Sequence, residues 1–551
     1  MKTSTISRQA SDDVKHWVDV FVRVTEERPS SVYATSEDGQ LTYGELRESV
    51  DRLASGLLER GVRPGQVLAI WMTNGIDLLV AQWATYRLGC SLLPLYSYYR
   101  KSELEYALAE SRATVLFTAR NFDGKTDPVA TLLQVLPELR NEHPSFVSFP
   151  NLRLVAGADD LGLAGVVPMA KIGDVESIET EGLDRIHSRI SPFDIMNVMY
   201  TSGTTGVPKA GLSLHSNNLS SIREWSALAR LDENDVILAH VPMFTNFGGL
   251  YANGLALYNG CRMEVTRTFD AAESLRRIDC CGVTYVPGSP EIFRMLLDHP
   301  DFSKIDVSRI QSAHVAGSSI EPELMRRIVD ELAPNAMQAY GMSECGGIAT
   351  VSSDRDPIER RLDSVGKPID SVAVQIHDPI AGKELPVGEI GEIWFGDVYP
   401  GSCVGKGYLA APRATAAAVT SSGWFRSGDL GKFDIDGYLH FTGRLKNMIT
   451  VGGFNVYPTE VERHLAAHPS VVIAHVVGVP DERLGTVPVA FVVVDQPLAA
   501  ATLMAFMAER VSSQKRPRAI WIVKASELPM TPSGKVRTGE LAERAVKLLA
   551  R

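Results

Sequence analysis

Ile195-Met196-Asn197-Val198-Met199-Tyr200, running into Thr201-Ser202-Gly203-Thr204-Thr205-Gly206-Val207-Pro208-Lys209, is the stretch on which the reading of this chain turns. The mostly apolar first half predicts a strand. The second half is a loop of small hydroxyl and glycine residues that closes on a lysine. Glycines let backbone N–H groups approach phosphate oxygens, and hydroxyls add further donors. Lys209 supplies a cation for the β/γ end of a nucleotide. The string is not a Walker A loop, because the Gly-Lys-Ser/Thr ending is missing. A flexible surface loop is the bland alternative. Four hydroxyl residues, two glycines and a lysine behind an apolar strand weigh against it.

Outward from that stretch, strands and helices alternate. Thr42-Tyr43-Gly44-Glu45 reads as a capping box, followed by Leu46, Val50, Leu53 and Leu57 at helical spacing, with Gly61 as a stop. Val67 to Met72 is a short apolar strand, with a helix through Trp83 and Tyr86 behind it. A further helix starts near Ser102, and a strand spans Thr114 to Thr118. Val283 to Val286, Ala313 to Ala316 and Ala336 to Ala339 are further short apolar runs. This alternation predicts layered α/β structure with parallel sheets. From Val372 to Phe395 the segments are short and strand-like, which predicts a small β-subdomain. Beyond Gly443-Arg444-Leu445-Lys446-Asn447 lies a small α+β domain: helix Pro458 to Ala467, strands Val471 to Val477 and Val489 to Val494, helix Leu498 to Val511, strand Ala519 to Val523.

The chain has 551 residues, too many for one ordinary core, so several domains or subdomains are expected. With 45% hydrophobic and 22% charged residues it reads as globular. Its net charge of -11 repels phosphate backbones and argues against a nucleic-acid partner. The six cysteines form no C-x-x-C pair, and neighbouring Cys280 and Cys281 suit neither a disulfide between them nor a zinc site. A reduced, cytoplasmic setting is expected. No run approaches the ~18 apolar residues of a membrane span.

Other strings carry chemistry less specifically. In Tyr340-Gly341-Met342-Ser343-Glu344, Tyr340 could stack on a base, Ser343 could donate to a phosphate and Glu344 could hold Mg²⁺. Alone, such a string is more often a turn with an exposed acid. Ser427-Gly428-Asp429-Leu430 offers an acid to ribose hydroxyls or merely shapes a turn. Gly443-Arg444-Leu445-Lys446, then Gly452-Gly453-Phe454-Asn455-Val456-Tyr457-Pro458, and finally Leu528-Pro529-Met530-Thr531-Pro532-Ser533-Gly534-Lys535 complete the series. Taken singly, Lys535 reads as a solvated surface lysine.

Together and in this order, these strings resemble the adenylate-forming superfamily: acyl-CoA synthetases, peptide-synthetase adenylation domains and beetle luciferases. The resemblance runs from Leu41 to Leu541 and is nearest to stand-alone acyl-CoA ligases. It implies ATP, Mg²⁺ and coenzyme A as cofactors and co-substrates, and a small-molecule carboxylic acid as substrate. It implies a large domain over residues 1–443, a hinge at 444–446 pivoting on Lys446, and a mobile small domain over 447–551. By that resemblance Thr201 to Lys209 is the phosphate loop, with Thr204 and Glu344 as metal ligands. Gly317, Ser318, Ser319, Gln338, Ala339 and Tyr340 match the adenine pocket. Ser343 matches an α-phosphate contact, Asp429 and Arg444 the ribose grip, and Lys535 the lysine of the adenylation step. Lys209, Glu344 and Lys535 are the expected catalytic groups. Gly452 and Gly453 match the glycine loop lining the coenzyme A channel. Phe247, Gly248, Gly249, Val286, Gly317, Gly341, Met342 and Gly346 are acyl-site candidates. Their glycines offer room for a bulky or cyclic acid, or only permit tight turns.

Three departures stand out. Thr245 closes Pro242-Met243-Phe244-Thr245 where family members often carry His, which bears on gating and acyl specificity. Cys345-Gly346-Gly347 after Glu344 would leave the acyl pocket open at that end. The stretch Gly396 to Gly405 is longer than usual and would crowd the nucleotide site. No carrier domain follows Lys535, which argues against a peptide-synthetase module. Loading of a separate carrier protein and a homodimer stay open. Competing readings are an enzyme performing only thioester formation from an acyl-adenylate made elsewhere, and a non-catalytic nucleotide sensor.

Overall fold

A computed structural model of the chain describes residues 14–120, 122, 126–201, 208–451, 454–530 and 536–550. By its internal contacts the chain divides into two compact units. The first comprises Met1–Val374 and Phe395–Phe425, the second Gln375–Trp394 and Arg426–Arg551.

Two large sheets build the first unit. One has seven strands in the order Val166–Pro168, Leu154–Gly157, Val115–Thr118, Val67–Trp71, Ser91–Pro94, Ile195–Thr201, Lys209–Leu214. The other has nine, in the order Lys367–Pro368, Thr350–Val351, Asn335–Tyr340, Ser312–Val315, Tyr285–Gly288, Val236–Ala239, Arg262–Val265, Val32–Ser36, Gly39–Thr42. Neighbours run parallel from Asn335–Tyr340 through Val32–Ser36 and turn antiparallel at both edges. Parallel strands are covered on both faces, so they read as continuous apolar runs. Leu68 to Met72 are all buried, as are Leu116, Val155 and Val198. The layered α/β class expected from the sequence is the class found.

The helices start where their sequence signals lie. Thr42 Oγ1 accepts from the Glu45 backbone N–H at 3.2 Å, and the Glu45 carboxylate accepts from Thr42 N at 2.8 Å. This capping box opens helix Tyr43–Glu59, whose Leu46, Val50, Leu53 and Leu57 are buried. Helix Pro290–Leu297 opens with a simple cap, Ser289 accepting from Ile292 N ahead of a first-turn proline. One arginine, Arg87, is wholly buried, held by Asp51 at 3.0 Å and Asp184 at 2.8 Å.

The strands Val372–His377, Gly391–Asp397, Phe425–Phe433 and Leu439–Arg444 form a four-stranded sheet, the small β-subdomain expected. In the second unit Phe454–Val456, Ile449–Val451, Gly485–Val494 and Val471–Asp481 form another sheet, with Ile520–Ile522 paired parallel to Gly485–Val494. Its central hairpin is longer than the two predicted strands and contains Pro480 and Pro488. Prolines are poor predictors of strand, but each costs only its own N–H, and cross-strand pairing continues on both sides. The predicted helix Leu498 to Val511 is shorter, Ala500–Ala508. Arg516 ends it by donating to the carbonyls of Ala508 and Val511 at 2.9 and 3.1 Å.

Glu462 lies on helix Pro458–Ala466 of this unit, 25% exposed. Its Oε1 accepts from Val476 N at 2.8 Å, and the His475 ring lies 3.9 Å away. Burial pushes its carboxyl up to about 7, outweighing that backbone donor. The folded unit therefore keeps a proton that the unfolded chain, titrating near 4.5, has released. This stabilisation is fully present below 4.5 and is lost as pH rises through 7. Glu462→Gln keeps the acceptor without the charge. It is expected to raise unfolding stability at pH 8 by about 1–2 kcal/mol and leave it near wild type at pH 4. Denaturant unfolding at the two pH values checks this, and an equal effect at both would remove Glu462 as the cause.

Candidate active site

The stretch expected to be the phosphate loop joins two paired strands. Ile195–Thr201 pairs antiparallel with Lys209–Leu214, and Thr201 stands opposite Lys209 at its mouth. The return strand was not anticipated from the sequence. Both ends of the loop are pinned: Tyr96 Oη donates to Tyr200 O at 3.1 Å, and Tyr106 Oη to Pro208 O at 3.2 Å. Ser202, Gly203, Thr204, Thr205 and Gly206 lie outside the described residues, as do Gly452, Gly453 and Lys535.

Segment 405–409 lies along the outer strand of that hairpin. Lys406 N donates to Leu212 O, Leu212 N to Gly407 O and Leu409 N to Ala210 O, at 2.8 to 3.0 Å. This pairing carries Tyr408 over the loop's exit. The Lys209 ammonium lies 5.7 Å from the centre of the Tyr408 ring, and Tyr408 Oη donates to Glu344 Oε1 at 3.2 Å. Burial, with the Glu344 charge, raises the Tyr408 phenol well above its ordinary range, so it stays a donor. Glu344 is 8% exposed on the single turn Ser343–Cys345. A Cβ on Gly211 would come within 3.1 Å of its Cγ. Lys209 and Glu344 were expected together. Tyr408, which joins them, was not, since its place depends on a pairing between segments two hundred residues apart in sequence.

Gln338, Ala339 and Tyr340 end the strand Asn335–Tyr340, and Gly317 to Ser319 follow the parallel neighbour Ser312–Val315. The register pairs Val315 with Gln338. The expected adenine-pocket residues thus share the carboxyl ends of adjacent parallel strands, the edge where open α/β sheets bind ligands. Gly317, Ser318 and Ser319 are exposed there.

The acyl-site candidates divide. Val286 is buried on strand Tyr285–Gly288. Phe247 lies on the short turn Asn246–Gly248, its ring 4.5 Å from that of His314. The glycines are decided by close backbone approach. A Cβ on Gly248 would meet Pro242 O at 2.3 Å, on Gly249 Met243 O at 2.7 Å, on Gly341 Gly347 O at 2.0 Å and on Gly346 Asn217 O at 2.7 Å. These four permit tight turns. Gly317 alone of the set faces open space, with nothing within 4 Å among the described residues. The expected opening after Glu344 is also filled. A Cβ on Gly347 would strike the Tyr251 hydroxyl, which accepts from Ile348 N at 2.9 Å and pairs with Ser221 Oγ.

Thr245 is occupied locally: its Oγ1 donates to Pro242 O at 2.7 Å and accepts from Gly248 N at 3.2 Å. The long segment 396–405 folds around the Asp397 carboxylate, which accepts from the backbone N–H groups of Gly401, Cys403 and Val404. His314 was missed by sequence reading. It is 1% exposed, and neither ring nitrogen has a hydrogen-bond partner among the described residues. Trp225 and Tyr251 flank it at 3.9 and 5.1 Å. Burial holds its pKa well below the ordinary value, so the ring is neutral.

In the second unit Asp429 and Arg444 are cross-strand partners. Arg444 Nε lies 3.1 Å from Asp429 Oδ1, with Asp429 buried and Arg444 half-exposed. Lys446 follows on the one-turn helix Leu445–Asn447. Burial, then the Arg444 charge, lowers its ammonium pKa, against the Asp429 carboxylate.

The sequence profile of the AMP-binding enzyme family matches residues 19–409, and that of the AMP-binding enzyme C-terminal domain matches 460–535. The chain belongs to the AMP-binding enzyme family. Among curated relatives of this AMP-binding enzyme, the 3-[(3aS,4S,7aS)-7a-methyl-1,5-dioxo-octahydro-1H-inden-4-yl]propanoyl:CoA ligase of Rhodococcus jostii (strain RHA1) is 33% identical, over 92% of this chain and 94% of the relative. The mitochondrial medium-chain acyl-CoA ligase ACSF2 of Bos taurus is 31% identical, over 92% and 83%. Among solved structures, ATP-bound MatB from Rhodopseudomonas palustris has a TM-score of 0.81 at 25% identity, covering 95% of this chain and 98% of that one. The amide bond synthetase McbA from Marinactinospora thermotolerans has a TM-score of 0.82 at 26% identity, covering 96% and 99%. No helix among the described residues is long and apolar enough to cross a membrane.

Proposed function

We propose that this AMP-binding enzyme activates a small carboxylic acid with ATP and passes the acyl group to the thiol of coenzyme A. The observation that carries the proposal is the convergence of Lys209, Tyr408 and Glu344 at the exit of the phosphate loop. A carboxylate oxygen of the acid attacks the α-phosphorus of ATP, and pyrophosphate leaves. The sulfur of coenzyme A then attacks the acyl carbon, and AMP leaves. Lys209 offsets charge on the departing pyrophosphate. The buried carboxylate of Glu344 is the hard oxygen donor that Mg²⁺ takes alongside substrate phosphates, so the residues present fit the ion. Bound there, Mg²⁺ would neutralise phosphate charge, with Thr204 as a second donor. Ser343 contacts the α-phosphate, and Gly317 to Ser319 with Gln338 to Tyr340 hold adenine. Lys535 bridges carboxylate and α-phosphate. For the second step residues 444–446 act as a hinge about Lys446, withdrawing Lys535 and bringing Gly452 and Gly453 to line the thiol path.

For the acyl group, His314 supports an acid carrying a hydrogen-bonding function away from its carboxyl. A neutral buried imidazole without a protein partner is costly unless a ligand or water satisfies it. The dioxo-octahydroindenyl group in the name of the Rhodococcus relative is of that chemical kind.

ATP–pyrophosphate exchange over a panel of acids, followed by thioester formation, tests the reading. Exchange with at least one acid, and thioester on adding coenzyme A, is expected. Thioester from supplied acyl-AMP without exchange would leave the second half-reaction alone. Neither would leave a nucleotide-binding protein. Asp429→Ala or Arg444→Ala should weaken ATP binding by roughly tenfold or more and acid binding far less, since charge-assisted hydrogen bonds contribute about 1.5–3 kcal/mol. Unchanged nucleotide affinity would reduce the pair to a structural ion pair.

A further inference from the structure

The first unit holds a cluster of ionisable groups that the reaction does not use. His16 and Asp19 stand at the start of helix Trp17–Glu27, and His187 is the last residue of helix Thr180–His187. One ligand atom from each lies within 4.8 Å of the others. His187 Nε2 is 2.8 Å and His16 Nε2 3.5 Å from the same oxygen, Asp19 Oδ1. The second oxygen, Oδ2, has a separate duty, accepting from Lys15 N at 2.8 Å and His16 N at 3.0 Å. Asp19 thus caps its helix with one oxygen and presents the other to two imidazoles.

A fourth group stands behind them. His215 opens helix His215–Ala229, and its ring centre is 5.9 Å from that of His16. It is 1% exposed, and its Nδ1, like that of His16, is buried with no hydrogen-bond partner among the described residues. Four ligand-type residues from three segments meet where two buried polar atoms remain unsatisfied, an arrangement that calls for an explanation.

We propose that His16, Asp19 and His187 form a binding site for a borderline divalent metal ion, Zn²⁺ foremost. Two imidazoles and a carboxylate at 2.8 to 4.8 Å separation bracket the ~3.3 Å between ligand atoms of a tetrahedral site with ~2.0–2.1 Å bonds. Nitrogen ligands select zinc and its neighbours over Mg²⁺. Asp19 and His187 remain about one-fifth exposed, which leaves an entry path. Such an ion would tie helix Trp17–Glu27 to helix Thr180–His187.

Zinc binding is measured on the full-length chain after removal of metal by chelator. Cys280→Ser/Cys281→Ser serves as the background, so that adventitious metal on two accessible thiols 3.1 Å apart does not enter the count. One equivalent of Zn²⁺ is expected by calorimetry, with a Kd raised at least about tenfold by Asp19→Asn and by His187→Gln. Zinc should raise the Tm of the background protein and not that of the two variants. His187→Gln leaves the helix cap intact, so the test survives a folding defect in Asp19→Asn. Co²⁺ should give tetrahedral visible absorption without a thiolate charge-transfer band. Absence of stoichiometric binding, or equal binding in background and both variants, would overturn the site.

Discussion

Lys535→Ala is expected to lower acyl-AMP formation at least about a hundredfold while leaving thioester formation from supplied acyl-AMP close to wild type. The first half-reaction joins two anions, the carboxylate and the α-phosphate. An ammonium about 4 Å from each, at an effective dielectric near 20, contributes about 4 kcal/mol per pair, which corresponds to two to three powers of ten in rate. In the proposed role it would also fix the in-line approach, and loss of positioning alone can cost about a hundredfold. In the second half-reaction a thiol attacks an acyl carbon, and no anion–anion contact needs that charge. Pyrophosphate exchange reads the first step, and acyl-AMP with coenzyme A reads the second. Equal losses in both would reject Lys535 as the adenylation lysine.

Glu344→Gln is the second large effect. Glutamine keeps the acceptor for Tyr408 Oη, now at 3.2 Å, and the packing over Gly211, so the turn should hold. What disappears is the charge. If Glu344 ligates Mg²⁺, the Mg²⁺ concentration for half-maximal exchange should rise at least about tenfold, since even partners of metal ligands cost about 10–100-fold in affinity. The exchange rate should fall further, by about a hundredfold. Tyr408→Phe is the control. It removes one charge-assisted hydrogen bond, about 1.5–3 kcal/mol, without removing a ligand. It should slow exchange and leave the Mg²⁺ midpoint in place. Equal midpoints in Glu344→Gln and wild type would make Glu344 a positioning residue.

Much of the fold was legible because its signals are local. The capping box at Thr42, the apolar runs at Val67 and Ala313, and the proline-led helix at Pro458 each depend on neighbours within a few residues, and each element appears. The ordered motifs were legible for a related reason. A phosphate loop must place small residues and a lysine close together along the chain, so its chemistry is written in one string.

What the tertiary structure decided concerns residues that act through distant partners. Tyr408 reaches Glu344 only because segment 405–409 lies along the Lys209 strand. His314, on strand Ser312–Val315, stands among Trp225, Phe247 and Tyr251 from segments well removed in sequence, and no period in the sequence announces it. The glycines at 248, 249, 341 and 346 looked equally suited to an open pocket or to tight turns, and only the backbone atoms packed against them separate the two. His16, Asp19, His187 and His215 are ordinary residues in the sequence and become a cluster when three helix ends meet. The sequence by itself determined the class of fold and the nucleotide chemistry, because periodicity and loop composition are properties of contiguous chain. Which side chains face one another across the core was decided by packing, because contacts between distant segments leave no mark on local spacing.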